Sequence, residues 1–100
     1  MNAKEAAVVA RSIQEKRNWE VSLRAQKYLP VVAKNVRKKI DEYAHLGNRE
    51  MVYRFSREAV AVDDDDVVLE LRRLIDRELT GAGFKTTYPP TNVLSIHIEW

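Results

Sequence analysis

The chain has 100 residues, 45% of them hydrophobic and 32% charged, and carries a formal net charge of +2. This length and composition describe one folded domain with one core, not a disordered chain. The absence of cysteine excludes a disulfide framework and a thiolate metal site, and no apolar run approaches the roughly 18 residues of a membrane span.

At the N-terminus, Asn2 is placed to accept from a first-turn amide, with Glu5 three residues on, a capping-box variant. Ala3, Ala6, Ala7, Val9, Ala10 and Ile13 then recur at helical spacing, and no glycine or proline intervenes before Pro30. A first helix over about 3–29 follows. Its apolar stripe is mostly alanine, which offers little area but allows another backbone to come close, so its first two turns suit a second copy or a partner. A frayed, solvated end is the competing reading. Pro30 lacks an amide hydrogen and biases Leu29 out of the helical region, which predicts a stop or kink. Val31, Val32, Val36, Ile40 and Tyr43 continue as a second amphipathic segment, ended by Gly47 and Asn48.

From Glu50 the period changes to two: Met51, Tyr53 and Phe55 alternate with Val52, Arg54 and Ser56, a strand with one face on a core. Asp63 to Asp66 then precede Val67, Val68, Leu71, Leu74, Ile75 and Leu79, a helical pattern whose entrance carboxylates complement the orphan amides. Asp64 or Asp65 is the expected cap, and Gly81 and Gly83 mark the end. Phe84, Thr86 and Tyr88 form a further alternating run, Pro89 to Asn92 a turn, and Leu94, Ile96, Ile98 and Trp100 the last strand, with Trp100 expected to pack on the core edge. The fold class is α+β: a long helical region over 1–46, then a βαββ core over 47–100 with a three-stranded antiparallel sheet, the whole forming a single domain 1–100.

A start like Asn2-Ala3-Lys4-Glu5-Ala6, the capped amphipathic helix, Gly83-Phe84-Lys85 and the closing Leu94-Ser95-Ile96-His97-Ile98-Glu99-Trp100 resemble a group of small tailed-bacteriophage and prophage proteins. Many of those end on an Ile-Ser-Trp-like tripeptide; here Glu99 takes the middle place. The resemblance implies a phage or prophage origin and supplies no catalytic or binding residues. With Met1 to Glu5 lacking the basic start of a secretory signal, the expected location is the host cytoplasm.

Charge is unevenly divided. Residues 1–54 hold twelve Lys and Arg against six Asp and Glu, and residues 55–100 hold five against nine, giving +6 and −4. A basic half can face nucleic acid or an acidic partner, or draw two copies together. Lys34, Arg37, Lys38 and Lys39 with Trp19, Tyr28 or Tyr43 could contact nucleic acid, but no known nucleic-acid motif accompanies them, and that partner is not favoured. The four aspartates lack the glycine and glutamate of a calcium loop, so capping explains them better than a metal. His45 and His97 have no ligand spacing. Ser95, His97 and Glu99 share a strand face at a separation too great for a hydrolytic triad. No phosphate loop is present. No cofactor and no enzymatic activity are expected.

The reading that results is a non-enzymatic binding protein that docks to a host or viral macromolecule as a homo-oligomer through its N-terminal helix. Arg11, Lys16, Arg17, Arg24 and Lys27 supply the polar face and Trp19 an anchor. A structural component of the virion and a nucleotide-sequestering protein are the alternatives.

Overall fold

The structure is a computed structural model that describes residues 1–55, 64–90 and 94–100. Ser56 of the first strand pattern, Asp63 of the acidic run, and Thr91 and Asn92 of the predicted turn lie outside the described residues. The elements run in the order α1 (Ala3–His45), β1 (Glu50–Arg54), α2 (Asp65–Gly81), β2 (Lys85–Thr87) and β3 (Ser95–Glu99). This is the expected α+β arrangement, with all three strands antiparallel in the order β1-β3-β2.

The stop allowed for at Pro30, which would have ended the first helix near residue 29, is corrected: α1 is one helix of 43 residues with Pro30 inside it. An interior proline costs about 3 kcal/mol. On both sides of it, however, α1 is fixed to the core by Ala25, Val32, Ala33, Val36 and Ile40, and burying such a Val or Ile side chain contributes about 1.5–3 kcal/mol. Several such anchors outweigh one lost hydrogen bond. Pro30 and Gln26, whose carbonyl loses its amide partner, are both exposed, and a backbone carbonyl left open to solvent costs far less than one left unpaired in a core.

The ends of the helices follow their local chemistry. Asn2 Oδ1 accepts from the Glu5 amide at 2.9 Å. Both helices close in the same way: Asn48 N donates to Tyr43 O and Gly47 N to Ala44 O, while Phe84 N donates to Leu79 O and Gly83 N to Thr80 O. This pattern needs a left-handed residue, supplied by Gly47 at φ 85° and Gly83 at φ 93°. The Gly83→Ala variant is expected to lose roughly 1 kcal/mol, because its backbone conformation penalises any Cβ even where space is open. A urea midpoint equal to the parent's would contradict this.

In the sheet, Met51 lies opposite Ile98 and Tyr53 opposite Ile96, and these four side chains are buried. With Phe55 they pack against Ala25, Val32, Val36 and Ile40 of α1 and Val67, Val68, Leu71, Ile75 and Leu79 of α2, forming one hydrophobic cluster. Tyr53 meets Phe55 edge-on at 5.2 Å and accepts from Asn35 Nδ2 at 2.7 Å, so its hydroxyl is satisfied inside the core. Trp100 packs at the core edge as expected, edge-on to Phe84 at 6.4 Å.

A second polar seam joins α2 to the β2 segment. The Asp76 carboxylate accepts from Thr86, Tyr88 and Thr80, and the Arg72 guanidinium stacks over the Tyr88 ring at 4.0 Å. Partial burial pushes the Asp76 carboxyl up, but the three hydroxyl donors and nearby Arg72 outweigh it and hold the group below the usual range.

Candidate functional site: the projecting helical arm

An α-helix rises about 1.5 Å per residue, so α1 is about 64 Å long, and the molecule measures 62 × 24 × 24 Å. A single helix therefore sets the long dimension. The hydrophobic core begins only near its middle: Ala25 is the first buried residue, and every residue from Met1 to Lys16 is exposed. The first four turns of α1 thus form an arm outside the core.

The arm has an apolar stripe. Ala6, Val9, Ala10 and Ile13 follow the i, i+3, i+4, i+7 spacing that brings side chains onto one side of a helix. Val9 is 45% and Ile13 65% exposed. Farther along, Val21, Ala25, Tyr28, Leu29 and Val32 turn to the core. Over the arm, that same side of α1 carries the small or polar residues Ala3, Ala7, Ala10, Arg11, Gln14 and Asn18, which would add little to a core. Trp19, 64% exposed, comes six residues after Ile13 and faces away from the stripe.

The structure separates the candidate cations into two groups. Arg17 Nη2 lies 2.8 Å from Asp64 Oδ2 and 3.2 Å from Asp66 Oδ2, and Arg24 Nη1 lies 3.1 Å from the same Asp64 oxygen. The other oxygen of Asp64 caps α2 by accepting from the Asp66 amide at 3.1 Å. Hydrogen bonding from Arg17 holds the Asp64 carboxyl below its ordinary range against a smaller effect of desolvation. Arg17 and Arg24 thereby fasten the entrance of α2 to the base of the arm. Arg11, Lys16, Lys27 and Trp19 are exposed and are not drawn into this cluster.

Arg37 is also engaged, in an ion pair with Glu78 of α2. That pair stands at the rim of an apolar groove of about 280 Å³ between the two helices, lined by Val36, Ile40, Ile75, Leu79 and Phe84 among others. Tyr28 packs against the core, whereas Tyr43 stays 38% exposed. Ser95 is fully buried, so the Ser95, His97 and Glu99 row presents no accessible nucleophile. Among the described residues, Glu50, His97 and Glu99 are the side chains that converge closely enough to hold a metal ion.

Sequence periodicity identified the stripe but not its reach beyond the core. The Arg17, Arg24 and Asp64 contact spans 40 to 47 positions, and nothing local in the sequence announces it. No helix of the described residues is long and apolar enough to cross a membrane. No known protein family, curated protein or solved structure matches the chain.

Proposed function

We propose that the chain is a non-enzymatic binding protein, phage- or prophage-encoded as its resemblance implies, that self-associates through the arm of α1. The observation that carries this reading is the arm itself, at least three helical turns whose apolar stripe is not covered by the core. The arm extends a helix already nucleated in the core, but its own turns gain little from packing, which supplies most helical stability in proteins. A second arm provides that packing. The alanines permit close approach, and Lys4, Arg11 and Lys16 stand with Glu5 and Glu15 on one short segment, so antiparallel arms can set opposite charges side by side. Lys27 and Trp19, beyond the arm's stripe, would then remain on the outside to engage a host or viral macromolecule, with the host cytoplasm as the setting.

Size exclusion coupled to light scattering tests this on the full chain. The parent is expected to run as a discrete dimer or small oligomer, and the Val9→Asp, Ile13→Asp double variant as a monomer that still unfolds cooperatively, since neither residue touches the core, but at a midpoint that no longer rises with protein concentration. A parent that is monomeric at every accessible concentration would overturn the reading. Open-ended assembly would favour a virion component instead, and excess absorbance at 260 nm a bound nucleotide.

A further inference from the structure

The outer face of the sheet carries a constellation that the arm does not involve. Antiparallel pairing sets Glu50 of β1 directly opposite Glu99 of β3 and Val52 opposite His97, while on the other side of β3 Lys85 lies opposite Glu99 and Thr87 opposite His97. Strand side chains alternate between faces, so Glu50, His97 and Glu99 share the face turned away from Met51, Tyr53, Ile96 and Ile98. His97 Nε2 is 3.5 Å from a Glu50 oxygen and Nδ1 is 3.5 Å from a Glu99 oxygen. One ligand atom from each of the three residues lies within 4.8 Å of the others.

We propose that Glu50, His97 and Glu99 bind a divalent transition-metal ion of the zinc type. Like charges directly opposite on paired strands are destabilising, and a dication between them turns that repulsion into attraction. Ligand atoms about 2.0–2.2 Å from a tetrahedral zinc stand roughly 3.3–3.5 Å apart; each carboxylate is 3.5 Å from a ring nitrogen of His97, Glu50 from Nε2 and Glu99 from Nδ1, and because one ion takes a single nitrogen, the carboxylate beside the other nitrogen must swing round to join it. The contraction from the 4.8 Å spread falls to the two carboxylates, whose side chains are 67% exposed in Glu50 and 39% in Glu99 and can swing without disturbing the core. His97 is more enclosed, 24% exposed, and Thr87 Oγ1 at 3.2 Å from Nδ1 helps fix its ring. One imidazole and two carboxylates select zinc and its neighbours over magnesium and calcium, which prefer oxygen alone. Three protein ligands leave the outward coordination position to water or to a ligand from elsewhere.

Calorimetric titration of the full chain with zinc chloride at neutral pH tests the site, with His97 ring nitrogen shifts followed by NMR. One equivalent is expected to bind and raise the thermal midpoint. Binding should survive His45→Ala, disappear in His97→Ala, and weaken at least about tenfold in Glu50→Gln and in Glu99→Gln. Magnesium and calcium chloride should give no saturable heat. Glu50→Gln is the variant that separates ligation from folding, since Glu50 is exposed. No saturable zinc binding up to millimolar concentration, or binding unchanged in His97→Ala, would overturn the proposal.

Discussion

Replacing Leu71 by alanine is expected to lower the unfolding free energy by roughly 3 kcal/mol, a large part of the 5–15 kcal/mol that holds an ordinary domain together. Leu71 is completely buried at the middle of the apolar side of α2, between Val67, Val68 and Ile75. It belongs to the one buried cluster to which α1, α2 and the sheet all contribute. Truncation removes the transfer energy of its methyl groups and leaves a cavity that two helices and a sheet cannot close together. The exposed neighbour Leu69 is the control: Leu69→Ala should stay within about 0.5 kcal/mol of the parent. Urea unfolding of both variants decides the matter, and equal midpoints would mean that Leu71 does not lie in the core.

The second large effect is expected at Asp64, which performs two tasks with one carboxylate. One oxygen caps α2 and the other receives Arg17 and Arg24. Asn keeps an acceptor for the cap but loses the charge, whereas Ala loses both. Stability should therefore fall in the order parent, Asp64→Asn, Asp64→Ala, with Arg17→Ala and Arg24→Ala each milder than Asp64→Ala. The pH dependence carries a definite sign. The Asp64 carboxyl is held low chiefly by the Arg17 hydrogen bond, and Asp76 is held low by its hydroxyl donors against its partial burial. A group whose folded pKa is depressed contributes stability that is present above its unfolded value, about 3.9 for aspartate, and is lost as pH falls through the folded value. Unfolding midpoints should thus drop as the solution is acidified below about pH 4, and drop less steeply in Asp64→Asn. An acid limb of the same slope in that variant would show that the clamp does not contribute.

Several features were legible from residue order because their causes are local. Asn2 and Asp64 cap helices through side chains two or three positions from the amides they satisfy, and Gly47 and Gly83 end helices because a left-handed backbone costs glycine nothing. The alternation from Met51 to Phe55 and from Leu94 to Trp100 gave the strands and their buried sides, since a period of two leaves only one face for the core.

Pro30 shows where local reasoning fails. Its chemistry argues for a break, and in isolation that argument holds, but anchors on either side keep α1 one continuous helix. The charge asymmetry between the halves has the same character. In the sequence it suggests an outward basic face; in the fold Arg17, Arg24 and Arg37 of the first half meet Asp64, Asp66 and Glu78 of the second, so part of the imbalance is neutralised internally. His97 gains its neighbour Glu50 only through strand pairing across 47 positions.

Sequence by itself thus determined the α+β class, the helix caps and stops, the strand faces and the stripe on the arm, all set by interactions within a few residues. Tertiary structure alone decided that α1 passes through Pro30, that β3 lies at the centre of the sheet, which arginines are engaged, and that Glu50 meets His97. Each of these depends on contacts between distant segments, whose burial and pairing energies exceed the local preferences they override.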